Sequence, residues 1–525
     1  MVCLLGVSAM AAGESRHVGR IVKMDSDKIT LQDGDLETVT ETQLGGGGQP
    51  PKAGQKLPAM PKQSAADHPS KSVRHIVFIA NDYRKTYSLH AEDASRLKVG
   101  DIISYTTDGG KISKAVKENV YVTKAADGIQ GSSAETISKN TSITGKTFSS
   151  NQQSENALRV DGAAADLHLV RIDKASGESG SPELGDFYGI NAGFLATNGA
   201  LATIRGSYIT TNARGGNGVF SYGSGTAVNI SESFIHTFKD NSGGLQTTGG
   251  GTMNANKVRV ITEGNSAAAI RSDRGGGFVR IRGGSYRSNG YNSPGIYSTA
   301  KISADKAKIA ATNSEALVIE GKNSISLKNC RVSGNQSKTR SASKDINVHN
   351  VMIYQSMSGD AEQGLASFSM EGGSLLGRSG DLIYVTNTDA DITLDHVLLD
   401  NEDKSGKLLV VAGNNAKNGW GTAGKNGARV NFTARNQKMQ GDITVDTISS
   451  LNFKLTSGSV FTGTIHIIEN EAHGEAAAEN AVVKVEKGST WNLTGDCTLT
   501  SLDNQGTIHF NGHTITLADG TVLHG

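Results

Sequence analysis

The chain repeats itself between Phe194 and Asn335. Phe194-Leu195, Val219-Phe220, Leu245-Gln246, Ile270-Arg271, Ile296-Tyr297 and Leu317-Val318 recur at steps of roughly 21 to 26 residues, a period that implies stacked units. Most of these anchors follow small residues, as in Gly216-Asn217-Gly218, Gly243-Gly244, Ala267-Ala268-Ala269 and Pro294-Gly295. A Gly/Ser/Thr break and a second alternating run come next: Ala227 to Ile230, Phe278 to Ile281, Ile325 to Leu327. A third run can follow, such as Phe234-Ile235-His236 or Val258 to Ile261. Short strands in every period, with no helical period anywhere, describe the coils of a parallel β-helix. The expected fold is all-β: a right-handed parallel β-helix solenoid preceded by a small β-barrel-like domain.

Composition agrees with many tight turns between short strands. The 525 residues include 65 glycines and only 7 prolines, and the apolar residues keep their period, which argues against Gly-rich disorder. A formal net charge of +1 gives no reason to expect nucleic acid, which needs a basic surface.

Residues 1–13 read as a residual signal peptide, apolar and ending in small residues, with Ala9-Met10-Ala11 as the cleavage site. A buried N-terminal strand is the other reading. The expected location is therefore secreted, cell-surface or periplasmic. No later segment is long and apolar enough to span a membrane. Residues 14–122 read as a small β domain. Its strands include Val18 to Lys23, Lys28 to Gln32, His75 to Ile79, Thr86 to Leu89, Asp101 to Tyr105 and Lys111 to Val116. A flexible insertion, 45–72, holds five of the prolines. Residues 123–455 are the expected β-helix, with irregular first coils around Asn156 to Asp173 and Asp186 to Ala192, and a charged loop from Lys338 to Asp345. Residues 456–525 are the closing coils and cap, which must cover an open sheet edge. Cys330 and Cys497 lie too many coils apart to bridge, since each coil adds about 4.8 Å.

Several segments carry a resemblance: Gly249 to Gly251, Ala269 to Gly277, Ser293 to Ala300, Val318 to Ser324 and Tyr354 to Asp360. Over roughly Asn191 to Ser501 the chain resembles secreted bacterial right-handed parallel β-helix, or pectin-lyase-like, proteins. The Trp491 region and the fold are also similar to autotransporter passenger domains, which implies an adhesin. A passenger precedes a membrane barrel of strands about ten residues long. The chain stops at Gly525, so the expectation is another export route or retention in the periplasm.

The pectin-lyase-like resemblance implies a search for carboxylate constellations. Asn387-Thr388-Asp389 matches one polygalacturonase motif, but its partners fail: neither Gly-His-Gly nor Arg-Ile-Lys occurs. Asp389, Asp391 and Asp395 read as solvated outer residues, or as calcium ligands, although the Gly-rich calcium nonapeptide is absent. No catalytic set, metal or cofactor is assigned. The stronger candidate is a binding column of Arg271, Asp273, Arg274, Tyr297, Glu320, Lys322, Tyr354, Gln355 and Asp360. Arg271, Tyr297, Glu320 and Tyr354 are expected at nearly equivalent coil positions, stacked about 4.8 Å apart on one face. Such a column can bind a polysaccharide or surface glycan, with sugar rings on Tyr354 or Trp420. The alternative is a salt-bridge ladder that covers a sheet face. Three functions remain, in order: an adhesin-like polysaccharide or matrix binder, a polysaccharide lyase (with Arg271 or Lys322 as base) or glycoside hydrolase, and a structural spacer.

Overall fold

A computed structural model describes residues 16–40, 73–89, 94–337 and 347–525. Residues 1–13, the insertion 45–72 and the charged loop 338–345 lie outside the described residues. The chain falls into two compact units, with the boundary between Val122 and Thr123.

The first unit is a closed barrel of five strands: β1 (His17–Met24), β2 (Lys28–Thr40), β3 (Arg74–Ser88), β4 (Ile102–Asp108) and β5 (Lys111–Lys117), in the order β1-β2-β3-β5-β4. Ile21, Ile29, Leu31, Ile103, Tyr105 and Ile112 form its core. The runs His75 to Ile79 and Thr86 to Leu89, expected as two strands, belong to one. β3 is 15 residues long and continues through the polar stretch between them. Buried Gln32 keeps that stretch extended: its Nε2 donates to the carbonyls of Asn81 and of Tyr83 (3.2 Å), and its Oε1 accepts from Arg84 Nε at 2.7 Å.

The second unit is a long parallel β-helix. Three sheets run along it, built from strands that recur once per coil. The first runs from Thr136–Ile137 to Ile465–Ile468, the second from Thr141–Thr144 to Ser501–Asn504, and the third from Thr147–Ser150 to Leu398–Asn401. The anchors pair in register, Phe194 with Val219, Val219 with Leu245, Leu245 with Ile270, Ile270 with Ile296, and Ile296 with Leu317. The small residues before them turn the corner into the first sheet. A Cβ on Gly244 would stand 2.2 Å from a Val260 methyl and 2.6 Å from the Ala269 carbonyl oxygen, so a larger side chain there forces the corner apart.

One expectation needs correction. Asn156 to Asp173 is not irregular: Leu158–Asp161, Ala164–His168 and Arg171–Lys174 pair in register with the following coil. The interruption comes after it, and it contains a helix, Pro182–Tyr188. Ser181 caps its N-terminus by accepting from Leu184 N–H, Pro182 fills the first turn, and Gly189 closes it at φ 68°.

Burial differs between sheets. Many strands of the second and third sheets alternate, as in Ser324–Lys328 and Arg331–Gly334, with one face on the interior and one in solvent. In the first sheet, Leu317–Glu320 and His349–Tyr354 are buried at every position. That sheet is covered on both faces, the condition under which parallel strands become continuously apolar. At the C-terminal end Thr514–Leu517 pairs antiparallel with Val522–His524 and ends the coiling. Cys330 and Cys497 are buried free thiols. Among the described residues, no helix is long and apolar enough to cross a membrane.

Candidate functional site

The outer face of the first sheet carries most of the candidate residues. Arg271 lies beside Tyr297, Tyr297 beside Val318, and Val318 beside Met352. Glu320 and Tyr354 pair with one another in the next row, two residues further along. The single column expected for Arg271, Tyr297, Glu320 and Tyr354 is therefore two adjacent rows. Strand period 2 keeps all four on one face.

That face is not open to solvent. Val318, Met352, Tyr354, Tyr384, Val410 and Trp420 form a separate hydrophobic cluster on it, with Tyr297 packed alongside. Trp420 arrives from the Gly/Asn-rich loop 412–427 and meets the Tyr354 ring edge-on, centroids 4.8 Å apart. Tyr354 is 4% exposed and Trp420 5%. Sugar stacking on these two rings is thus corrected: each is occupied by the other and by the sheet.

The charged candidates tie the covering segments down. Arg271 donates through Nη1 to Asp186 Oδ1 at 3.0 Å and through Nη2 to Asp273 Oδ2 at 2.8 Å. Asp186 belongs to the helix Pro182–Tyr188, so this contact pins the helix. Arg274 donates to Asp360 Oδ1 from Nε (3.1 Å) and Nη2 (2.9 Å), and its guanidinium lies 4.2 Å from the centroid of the helix's Phe187 ring. Glu320 accepts from Tyr354 at 3.0 Å and also from the hydroxyls of Tyr297 and Ser356. Ser358 then donates to Asp360 at 2.8 Å. Buried Gln355 donates its side-chain Nε2 to Ala361 O at 3.3 Å, and its backbone carbonyl accepts from Asn387 Nδ2 at 2.8 Å. Lys322 stands apart, 47% exposed on its side chain and 3.5 Å from Glu362. Asp186, Phe187, Ser356, Ser358 and Tyr384 escaped the sequence reading. The helix is marked by Ser181-Pro182 and Gly189, and the serines lie within the segment Tyr354 to Asp360.

Three carboxylates, those of Asp186, Asp273 and Asp360, share two guanidiniums here, and a fourth, Glu320, is held by hydroxyls. Burial raises the Asp273 pKa to about 7; Arg271 opposes the rise, and Asp186 and Asp360 add to it. Burial likewise raises Asp186 against the pull of Arg271, and raises Glu320 against its hydroxyl donors. Burial alone would lower Arg271, but the two aspartates outweigh it and hold the guanidinium charged. The sign follows from linkage. A carboxyl whose folded pKa is raised makes the folded state bind more protons than the unfolded one. Its contribution is present below the ordinary range near 4 and is lost as pH rises through about 7. The protein should therefore lose stability between pH 5 and pH 8, and Asp273→Asn should flatten that loss. Urea titrations at the two pH values check this; equal slopes for both proteins would contradict it.

The other carboxylates considered are engaged elsewhere. Asp389 accepts both Nε and Nη2 of Arg429 at 2.9 Å, and Asp391 accepts from Asn431 at 2.9 Å, both on the second sheet. Asp395 is half-buried on the same strand. Among the described residues no group of three or more His, Cys, Asp or Glu side chains is placed to hold a metal ion. No family model matches the sequence, and neither a curated protein nor a solved structure matches the chain.

Proposed function

We propose that the chain is an adhesin-like β-helix that binds polysaccharide or matrix on an exposed sheet face and carries out no chemistry on it. The observation that supports this reading is the state of the buried carboxylates. Asp186, Asp273, Glu320 and Asp360 are each held by a guanidinium or a hydroxyl beneath covering segments. A glycosidase needs two carboxylates facing a substrate-filled gap of roughly 5–10 Å, and this set is spent on holding the cover. Arg271 is similarly unsuited as a base, because its aspartate neighbours keep it protonated. The resemblance to pectin-lyase-like and autotransporter passenger proteins fits the same reading, as does a secreted, surface or periplasmic location. No nucleic-acid partner is proposed.

Incubation of the purified protein with pectic, algal and host polysaccharides tests it. Ultraviolet absorbance follows unsaturated products, and a reducing-end assay follows hydrolysis. The expected result is binding to at least one polysaccharide with neither product. Turnover lost in Asp273→Asn would make the protein an enzyme. Neither turnover nor binding would leave a spacer.

A further inference from the structure

The outward face of the third sheet carries a row of side chains, one per coil. Arg171, Tyr208, Phe234 and Arg259 are consecutive register partners, and Lys308 and Arg331 continue the row beyond Ser285. The six steps from Arg171 to Arg331 span about 29 Å at roughly 4.8 Å per coil. The Tyr208 and Phe234 rings lie 5.1 Å apart with a 33° tilt. An arginine closes each end of this pair: the Arg171 guanidinium is 5.4 Å from the Tyr208 centroid, and that of Arg259 is 5.3 Å from the Phe234 centroid. Tyr208 is 40% exposed, and Arg171, Arg259, Lys308 and Arg331 are all exposed.

Two features set this row apart from an ordinary solvated face. First, it holds four cations and no carboxylate, and none of the four makes an ion pair or side-chain hydrogen bond among the described residues. Nearby carboxylates are occupied: Asp173, in the neighbouring row, accepts from Thr210 at 2.7 Å, and Glu263, just past the end of its strand, binds His236 at 2.9 Å and Asn289 at 2.8 Å. Second, two of the guanidiniums lie against rings. A planar guanidinium held in this way keeps its outer N–H donors in solvent and has less side-chain freedom to lose on binding. Those donors match the paired oxygens of a carboxylate or sulfate.

We propose that this face binds a linear anionic polysaccharide, bearing uronate or sulfate groups, laid along the helix axis. The anionic groups meet Arg171, Arg259, Lys308 and Arg331, and the sugars pass along the outward edges of the Tyr208 and Phe234 rings. A nucleic acid is the less suitable occupant: stacking of its bases needs free ring faces, and here one face of each ring is taken by arginine. The proposal rests on the polysaccharide-binding reading and names its ligand class and surface.

The test measures binding of the full chain to polygalacturonate, heparin, neutral dextran and a single-stranded oligothymidylate, at low and at physiological salt. The partner of each measurement is Arg171→Ser/Arg259→Ser. A Lys328→Ser/Lys484→Ser variant removes the same charge from the second sheet. The expected result is binding of an anionic polysaccharide that weakens with salt. It should fall at least tenfold in the arginine variant, persist in the lysine variant, and leave the melting temperature of both unchanged. Binding to a polysaccharide that ignores the arginine variant, or to dextran as well as to the polyanions, would overturn this surface while sparing the general reading. Tighter binding to the oligonucleotide would overturn the ligand class. No binding to any polysaccharide would overturn both.

Discussion

Replacing Arg271 with alanine is expected to destabilise the β-helical unit by about 3–5 kcal/mol, the usual loss when one partner of a buried ion pair is removed. The side chain is 11% exposed and lies between Asp186 and Asp273, themselves 13% and 7% exposed. Without it two carboxylates remain in a poorly solvated site with no cation between them. Their remedy is protonation, which is easier at low pH because both pKa values are already raised by burial. The loss should therefore be larger at pH 8 than at pH 5. Urea unfolding of both proteins at the two pH values measures it. A loss below about 1 kcal/mol at both, as for a solvated surface pair, would mean that the helix Pro182–Tyr188 is not held as described.

Trp491→Ala is expected to cost a similar amount, about 3–5 kcal/mol, for a different reason: it opens a cavity. Trp491 is fully buried, donates Nε1 to Gly463 O at 3.0 Å, and ends a row of rings. Phe432, Phe453, Phe461 and Trp491 have successive centroids 5.2, 5.4 and 5.8 Å apart. In a solenoid each coil is stabilised mainly by its neighbours, so damage at one end stays near that end. The variant should melt in two stages, with amides of the last coils losing hydrogen-exchange protection first. Uniform loss of protection along the β-helix would contradict this local coupling.

The fold was legible because its determinants are local and repeated. Phe194, Val219, Leu245, Ile270, Ile296 and Leu317 each follow a small residue or sit near one, and the turns between runs are marked by Gly, Ser and Thr. The candidate site was legible only in part. Arg271, Arg274, Glu320, Tyr354 and Asp360 do converge, but Arg271 meets Asp186 across 85 residues and Arg274 meets Asp360 across 86. Nothing local in the chain states those distances. One further mark is present in the chain. Leu317-Val318-Ile319, Val351 to Tyr354 and Leu382 to Val385 are apolar without alternation, which is the pattern of strands buried on both faces. It placed Tyr354 under a cover rather than in solvent. The row on the third sheet went unnoticed for the opposite reason: Arg171, Tyr208, Phe234 and Arg259 sit at ordinary outward positions, and only the coil register lines them up.

The central claim is that the outer face of the first sheet is closed and that ligands meet the protein elsewhere. Trp420 reports on it directly, because the chain has two tryptophans and Trp491→Phe leaves Trp420 alone. Fluorescence of that variant, titrated with acrylamide, is the measurement. A closed face predicts blue-shifted emission, weak quenching, and no change on adding a polysaccharide that binds. Red-shifted, freely quenched emission from the folded protein, or emission altered by bound polysaccharide, would contradict it.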